Sequence, residues 1–309
     1  MRVLIICRKK NGKIAPFITE QVESLRLLGI ECAYFPIEQN GVKGYLSSFS
    51  LLKQAIKHFC PDVIHAHYGL SGLFATLQRH VPVVTTFHGS DIHTFWVRFF
   101  SKAAIRRSSF NVFVSQQLMD RVSQIHRAVV IPCGVDLSLF YPVSKAEARS
   151  SLGWNQNAVY LLFAGDPNDS VKNYALAQHA VAQLDNATLI PLAGYARVDV
   201  RLLMNGVDAV LMTSFHEGSP QVIKEAMACN CPVVSTNVGD VSTMVEGVEG
   251  CFLTSFQVED VVENLGKVIQ FSISKGRTQG RDKIMQLGLD LSSIAQKIRN
   301  VYQDVMQES

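Results

Sequence analysis

The feature that most constrains the fold of this chain is an alternation of short apolar runs with amphipathic segments, which occurs in both halves of the 309 residues. The apolar runs predict buried strands, and the segments between them have apolar residues at helical spacing. Ile18, Val22 and Leu25, for example, share one face of a helix predicted over 15–28. Strands that alternate with helices of roughly 10–15 residues are typical of βαβ units and a parallel sheet.

The predicted elements form two sets of similar order. In the first half, the predicted strands are 3–7, 31–35, 63–65, 81–87, 111–114 and 128–131, and the predicted helices are 15–28, 49–59, 70–79 and 95–107. In the second half, the predicted strands are 159–164, 188–192, 209–212 and 233–235, and the predicted helices are 173–183, 220–228 and 291–306. Prolines and a glycine over 131–142 predict a linker between the two sets.

We therefore expect two Rossmann-like doubly wound α/β domains that face each other across a cleft. The first domain is predicted over 1–140 and the second over 141–290, with a C-terminal helix over 291–309 that packs back on the first domain. Ligands of such sheets collect outside the carboxyl ends of the strands, so the cleft is the expected ligand site.

Composition narrows the classes of protein. Apolar residues make up 48% of the chain and charged residues 18%, which allows sizeable cores and argues against disorder. No apolar run reaches the ~18 residues of a membrane span, and the first apolar run is too short for a secretory signal. These features predict a cytoplasmic protein. The seven cysteines form no CxxC pair, so we expect buried free thiols rather than a zinc or redox site.

The charge is unevenly distributed. Residues 1–140 hold 16 Lys and Arg against 8 Asp and Glu, whereas residues 141–309 hold 13 against 18. A basic first half indicates an anionic partner. No nucleic-acid-binding motif accompanies it, so we expect no nucleic acid; an anionic membrane surface or a lipid-phosphate acceptor fits. Segment 95–107 mixes aromatic residues with cations, which is typical of a helix lying on anionic lipid and equally of a core helix with a basic outer face.

The strongest local signal is the segment SFHEGSPQVIKEAMAC at 214–229, which follows a predicted strand. Ser219 suits a helix N-cap and Pro220 a first helical residue, so a helix is predicted to begin here. Gly218 lets the backbone approach a ligand closely. The amides of Gln221 and Val222 would then form an anion site at the helix N-terminus.

Two carboxylates accompany this predicted helix. Glu217 precedes it and Glu225 lies about two turns further along, so they can hold different hydroxyls of one elongated ligand. The alternative is a capped surface helix with two solvated glutamates.

Glu217 and Glu225 form an E-x7-E pair, and together with PVVSTNVGD at 232–240 they resemble the signature of retaining glycosyltransferases of family 4, which have the two-domain GT-B fold. Further segments are similar to motifs of this family, in the same order. They are PDVIHAH at 61–67, TFHGSD at 86–91 and IPCGVD at 131–136, where Cys133 stands at a position usually held by Asn.

The resemblance implies roles for individual residues. The catalytic set would be Glu217, which binds hydroxyls of the donor sugar, His88, which contacts that sugar from the opposite wall of the cleft, and Lys172, which binds phosphate. The donor-binding set would be Gly218, Ser219, Pro220, Gln221, Val222 and Glu225, with Glu225 on the ribose and the others facing the sugar or diphosphate. No cofactor is implied, because the donor substrate is itself a nucleotide-diphosphate sugar. No metal is implied either, because Lys172 and the helix-terminal amides would stabilise the diphosphate and no Asp-x-Asp motif occurs in a suitable loop.

The acceptor is expected on the first domain, beside Gly12, Lys13, His67 and Asp91. In the resembling family the loop at 9–13 borders the acceptor, and its lysines suit an anionic glycan or lipid-linked acceptor; a solvated charge run is the alternative. His65 alternates with His67 along a predicted strand, and we expect His65 to be a packed core histidine. The resemblance also implies envelope polysaccharide or glycolipid synthesis, in the cytoplasm or peripherally on the inner face of the membrane.

The sequence departs from the family pattern at two places. Asp166 stands near the position of an expected arginine, and an acid there repels a diphosphate; loss of one such donor can cost on the order of 10²–10³ in rate. The segment after 193–195 is shorter than usual, in the region that borders the nucleotide base, so the sequence does not predict the base. The alternatives are a nucleotide-sugar epimerase or hydrolase of the same fold and a catalytically inactive sugar-nucleotide-binding subunit, which Asp166 supports best.

Overall fold

The computed structural model describes residues 1–9, 12–38, 44–45, 47–93, 95–122, 125 and 127–307, with the backbone alone at 92–93 and 95–98. It forms two compact units, one of Met1–Gly134 with Leu291–Ser309, and one of Val135–Asp290. The division lies at 134/135 rather than at the predicted 140/141, because Val135 and Phe140 are buried in the core of the second unit. The C-terminal helix is grouped with the first unit.

Both units alternate strands with helices. The strands are β1 (Arg2–Arg8), β2 (Glu31–Ile37), β3 (Val63–His67), β4 (Val83–Phe87), β5 (Phe110–Phe113), β6 (Ala128–Val130), β7 (Val159–Phe163), β8 (Ala187–Pro191), β9 (Ala209–Met212), β10 (Val233–Thr236) and β11 (Cys251–Thr254). The helices are α1 (Pro16–Leu27), α2 (Phe49–Phe59), α3 (Gly69–Thr76), α4 (Ser90–His93), α5 (Phe95–Arg107), α6 (Gln116–Asp120), α7 (Lys145–Leu152), α8 (Tyr174–Val181), α9 (Arg197–Gly206), α10 (Gln221–Ala228), α11 (Val241–Val245), α12 (Val258–Ser274), α13 (Gly280–Gln286) and α14 (Leu291–Gln307). A short 3₁₀ helix covers Ser170–Lys172.

The two sheets share one strand order. The first is β2-β1-β3-β4-β5-β6 and the second, read in the same direction, is β8-β7-β9-β10-β11; their strand pairs are parallel. The chain therefore moves to one side of the starting strand and then to the other. The switch points lie between β1 and β3 and between β7 and β9, and the loops after these strands are where such sheets bind ligands.

Alternation along β1 shows how the first core is built. Val3 and Ile5 belong to a buried cluster with α1 and α14, whereas Leu4 and Ile6 belong to a cluster on the other face of the sheet. Tyr302 of α14 is fully buried in the first of these clusters. The C-terminal helix therefore supplies part of the first unit's core.

All seven cysteines are free, but the expectation that they are buried is wrong for two of them. Cys60 is exposed and Cys251 is half-buried. Cys60 ends α2 with a φ of 46°, at a surface corner where the chain turns out of the helix. No helix in the described part of the chain is both long and apolar enough to cross a membrane.

A buried ion pair fixes the second unit. Arg149 of α7 is 2% exposed, and its guanidinium donates to Asp208 at 2.8 Å and to the carbonyl of Gly206 at 2.8 Å. Asp208 also accepts from the Tyr160 amide at 2.9 Å and from Lys145 at 3.0 Å. Burial raises the pKa of Asp208, but these partners outweigh it and the pKa is lowered from its ordinary value. The pair thus joins α7 to β7 and to the turn before β9.

We expect Arg149→Met to lower the free energy of unfolding of the second unit by about 3–5 kcal/mol, because it leaves a buried carboxylate without its main partner. Urea denaturation followed by circular dichroism measures this. Lys145→Met, at a side chain that is 25% exposed, is the control and should cost much less. Because the folded pKa of Asp208 is lowered, its contribution is complete above its unfolded pKa of about 3.9 and is lost as the pH falls through the folded value. Equal urea midpoints for Arg149→Met and wild type would contradict this role.

Candidate active site

The predicted catalytic residues of the second unit lie together at its switch point. Lys172 follows β7 and Glu217 follows β9, and Nζ of Lys172 donates to Oε1 of Glu217 at 2.6 Å. Their side chains are 22% and 17% exposed, so the pair is accessible from solvent but not freely solvated. A cation and an acid thus occupy the place where a sheet of this order binds ligands.

Backbone hydrogen bonds hold the two loops in register. The amide of Phe215 donates to the carbonyl of Val171 at 2.9 Å. The hydroxyl of Thr213 donates to the carbonyls of Lys172 and Asn173, both at 3.0 Å. The position of Lys172 relative to the loop after β9 is therefore set by main-chain contacts.

Gly165, at the start of the loop after β7, makes room for the lysine. A Cβ at this position would lie 2.8 Å from Cγ of Lys172 and 3.0 Å from its Cδ. This glycine was not among the site residues predicted from the sequence, although a glycine directly after a strand of a doubly wound sheet often marks a close approach.

Asp166 forms a turn within its own loop. Its Oδ1 accepts from the backbone amide of Asn168 at 2.9 Å and from the side-chain amide of Asn168 at 3.0 Å, and the residue is exposed. The carboxylate that replaces the expected arginine is thus engaged by its own turn.

The helix after Glu217 begins one residue later than predicted. α10 starts at Gln221 with Pro220 as the N-cap, so the prediction of Ser219 as N-cap and Pro220 as first helical residue is wrong. The hydroxyl of Ser219 donates to Asp240 at 2.6 Å and accepts from Lys224 at 2.5 Å, and is therefore engaged outside the cap. Gly218, Gln221 and Val222 still flank the helix N-terminus, where the first turn of amides has no acceptor within the helix.

Glu225 lies apart from this pair, in a buried ion pair of its own. It is 4% exposed and is bonded to the guanidinium of Arg197, at the start of α9. Burial raises the pKa of Glu225, and the charge of Arg197 opposes that shift. The guanidinium also lies 4.7 Å from the centre of the Phe140 ring. The acid predicted to hold the ribose is therefore engaged by an arginine that was not predicted from the sequence.

Gly239 allows two loops of the site to touch. Its φ is +62°, and a Cβ there would lie 2.6 Å from the carbonyl oxygen of Gly218. The loop after β10 therefore supports the turn that carries Glu217 from behind, and only a glycine fits at this point.

In the first unit, His67 and His88 are in contact. Nδ1 of His67 and Nε2 of His88 share a hydrogen bond of 3.0 Å, and Sγ of Cys133 lies 3.7 Å from Nδ1 of His88. His88 is half-buried and His67 fully buried. Burial, with the neighbouring histidines, lowers the pKa of His67 well below its ordinary value, so this ring is neutral.

Asp91 orders the loop that carries His88. Its carboxylate accepts from the amides of Gly69 at 3.0 Å, Gly89 at 2.9 Å and His88 at 3.2 Å. Burial raises its pKa to about 6, although these amides act in the opposite direction. Asp91 therefore acts on the loop backbone.

The remaining predicted residues of the first unit differ in exposure. His65 is fully buried between the hydroxyls of Tyr302 at 2.5 Å and Thr86 at 2.7 Å, which confirms it as a packed core histidine. Gly12 and Lys13 are exposed in the loop after β1, whose residues 10–11 lie outside the described part. Among the described side chains, no group of three or more His, Cys, Asp or Glu is arranged to hold a metal ion.

Solved structures of low sequence identity share this fold. Sucrose-phosphate synthase from Thermosynechococcus elongatus matches with a TM-score of 0.86 at 18% identity, over 99% of this chain and 100% of that one. The Anabaena protein HepE in complex with UDP-glucose matches with a TM-score of 0.76 at 19% identity, over 97% of this chain and 99% of that one. The fold is the GT-B fold of glycosyltransferases.

Sequence comparison covers both units. The family model described as Glycosyltransferase Family 4 matches residues 1–139, and the model described as Glycosyl transferases group 1 matches residues 146–270. D-inositol 3-phosphate glycosyltransferase of Actinosynnema mirum is 24% identical, over 87% of this chain and 79% of that protein. Its namesake in Mycobacterium marinum is 26% identical, over 64% of this chain and 53% of that protein, so the chain spans about half the length of some relatives. The chain belongs to glycosyltransferase family 4.

We expect Gly239→Ala to loosen the turn that carries Glu217. Gly247→Ala is a matched control, because Gly247 has a φ of +74° but a Cβ added there would meet no atom within 4 Å. Both variants incur the left-handed backbone penalty of about 1–2 kcal/mol, and only Gly239→Ala adds a collision. Hydrogen exchange of the amides of residues 217–219, 221 and 222 should accelerate in Gly239→Ala alone; equal exchange in the two variants would contradict the supporting role of Gly239.

Proposed function

We propose that this protein transfers a sugar from a nucleotide-diphosphate donor to an acceptor hydroxyl, with retention of the anomeric configuration. The observation that supports this most is the Lys172–Glu217 pair at the switch point of the second unit, beside the N-terminus of α10. Family membership supplies the reaction class, and the arrangement supplies a cation, an acid and a helix N-terminus for one elongated, partly anionic ligand.

The proposed chemical step is a front-face substitution. The bond between the sugar's anomeric carbon and the diphosphate oxygen breaks, and the acceptor oxygen bonds to the same face of that carbon. The acceptor's proton passes to the departing phosphate oxygen, so that no enzyme nucleophile is needed. Glu217 holds hydroxyls of the donor sugar in this scheme, and Glu225 holds the ribose after exchange of its bond with Arg197.

The charge that develops on the diphosphate needs stabilisation. Lys172 and the first-turn amides of α10 can supply fixed positive charge there, and preorganised donors of this kind are usually the largest catalytic contribution. We propose that they do so without a metal ion. Comparison of the activity in EDTA with the activity in Mg²⁺ tests this directly. The contact of His88 with the donor sugar stays a prediction.

Two features suggest the substrates. HepE has been solved with UDP-glucose, which makes UDP-glucose the first donor to test. The name of the relatives in Actinosynnema mirum and Mycobacterium marinum contains D-inositol 3-phosphate, a phosphorylated compound, and the basic first half of this chain suits an anionic acceptor. We therefore propose a phosphate-bearing or lipid-linked glycan acceptor, in envelope polysaccharide or glycolipid synthesis.

We expect Glu217→Ala and Lys172→Ala each to lower kcat/KM for the donor by on the order of 10²–10³, because each removes a group placed on the reacting part of the donor. The measurement is nucleotide release from UDP-, GDP-, ADP- and CMP-sugars, with wild type first identifying the donor. Glu249→Ala is the control, since Glu249 is 70% exposed in an ion pair with Lys275. Wild-type rates in Glu217→Ala would contradict the assignment.

Product analysis with the donor alone, together with a measurement of donor binding, separates the alternatives. Conversion of the donor sugar to its epimer without any acceptor would identify an epimerase, and donor binding without turnover would identify an inactive subunit. Nuclear magnetic resonance of the product reports whether the anomeric configuration is retained.

Membrane contact is proposed separately, on α5. Phe99 is 72% exposed, Lys102 and Arg106 are exposed on the same face of this helix, and Ala104 and Ile105 are buried on the other. An exposed aromatic ring on the same helix face as cations is typical of a helix at an anionic lipid surface. The side chains at 95–98 lie outside the described part of the helix.

We expect wild type to sediment with phosphatidylglycerol vesicles and not with phosphatidylcholine vesicles, and to dissociate as salt rises. Lys102→Glu with Arg106→Glu should abolish sedimentation, because it reverses the charge of that face. Lys275→Glu reverses a lysine of the acidic half and serves as control. Equal sedimentation of the double variant and wild type would rule out α5 as the contact.

A further inference from the structure

Lys224 is a fully buried lysine in the first turns of α10. Its Nζ donates to the hydroxyl of Ser219 at 2.5 Å and to the side-chain oxygen of Gln221 at 3.1 Å, and it lies 3.5 Å from the carbonyl oxygen of Ser219. Burial of an ammonium group is costly unless it is paired and hydrogen-bonded. These partners all belong to the segment that carries the predicted donor-binding residues.

The counter-charge is Asp240, reached through Ser219. The Ser219 hydroxyl donates to Oδ2 of Asp240 at 2.6 Å, so ammonium, hydroxyl and carboxylate form one row. Oδ1 of Asp240 is buried and has no hydrogen-bond partner among the described residues. Burial raises the pKa of Asp240, with the charge of Lys224 opposing the shift. Lys224 and Asp240 are thus coupled by a hydroxyl between them.

This row fixes the turn before α10. Because the hydroxyl of Ser219 gives its one proton to Asp240, the hydrogen-bond donor that Ser219 can offer a ligand is its backbone amide. Gly239, the residue before Asp240, touches the carbonyl of Gly218. The loop after β10 therefore contacts the turn through two successive residues: Asp240 accepts a hydrogen bond from Ser219, and Gly239 packs closely against Gly218.

The charges nearby explain why a buried lysine matters here. Lys172 forms its ion pair with Glu217 at 2.6 Å, and Asp166 adds a negative charge in the loop after β7. Lys224, by contrast, is bonded to two neutral side chains and a carbonyl. Its charge lies one hydrogen bond from residues 219 and 221, at the helix end that favours anions.

We propose that Lys224 is a positioning residue of the donor site: through Ser219 and Asp240 it holds the 217–219 turn, and its buried charge favours a diphosphate at the N-terminus of α10. This inference rests on the proposed function. It assigns part of the positive charge of the site to a residue that contacts no substrate, and it makes Asp240 the group that tunes that charge.

The test uses Lys224→Met, Asp240→Asn and the double variant, with Lys275→Met as the exposed-lysine control. Urea denaturation reports stability, and calorimetric titration with UDP, GDP, ADP and CMP reports the Kd of the nucleotide that wild type binds. Lys224→Met alone should be less stable, because it leaves Asp240 buried without its counter-charge. The double variant removes both charges and should recover most of that stability.

The Kd of the nucleotide distinguishes an effect of the Lys224 charge on binding from a purely structural role of the row. We expect it to rise at least about tenfold in Lys224→Met and to stay raised in the double variant, since the charge is still missing. Asp240→Asn, which keeps the cation, should bind as tightly as wild type or more tightly. Lys224→Arg, which keeps the charge in a different shape, should restore part of the affinity lost in Lys224→Met.

The outcomes are distinguishable. A double variant that recovers both stability and wild-type Kd would overturn the inference, since the row would then be scaffolding alone, while leaving the proposed function intact. A wild type that binds none of the four nucleotides would overturn the proposed function and this inference together. A loss of affinity in Lys275→Met equal to that in Lys224→Met would also count against it, because it would reflect total charge.

Discussion

The candidate site of the second unit depends on the hydrogen bonds between the loops after β7 and β9. These loops are far apart in sequence, and the strands that precede them are neighbours in the sheet. Thr213 and Phe215 bind the backbone at 171–173, and this contact brings Lys172 to Glu217. Without that contact the two side chains would be solvent-exposed charges on separate loops, and ion pairs between exposed charges contribute little to stability. The backbone contacts between the two loops therefore set the positions of both side chains.

Buried charge is handled in three ways in the second unit. Arg149 and Asp208 are bonded directly and have further partners on each side, so the pair acts as a structural joint. Arg197 and Glu225 are also bonded directly, but the arginine is 33% exposed, and the proposed ribose contact of Glu225 requires their bond to exchange. Lys224 and Asp240 are separated by a hydroxyl. Replacing a buried ion pair by apolar residues is often neutral or stabilising. The Arg197–Glu225 and Lys224–Asp240 pairs lie near the ligand end of the sheet, which suggests that they serve a purpose other than stability.

The sequence was most informative where local pattern decides the structure. The apolar alternation predicted ten of the eleven strands found in the described part of the chain, because a buried parallel strand needs a continuous apolar run whatever surrounds it. It missed β11, since Phe252 and Leu253 are partly exposed on an edge strand and the run looks weak. The start of α10 was misplaced by one residue, because the competing partner of Ser219 lies at 240, beyond any local window.

The site was predictable in part for the same reason. Glu217 and Lys172 match a family pattern, but their contact, and the roles of Gly165, Arg197 and Lys224, depend on pairs of residues distant in sequence. A lysine in the apolar stretch VIKEAMA was the one visible hint, since a charged residue beside buried positions calls for a partner. The sequence offers no means of naming that partner.

The placement of α14 has a consequence for how the chain is made. The second unit, Val135–Asp290, is inserted within the first, whose last core residues lie at 294–305. During synthesis the second unit can therefore be folded while the apolar face of α1 in the first unit, with Ile18 and Val22, is still exposed to water. The first unit is thus the last to complete its core. Until then, a chaperone or a neighbouring nascent chain could bind the exposed face of α1.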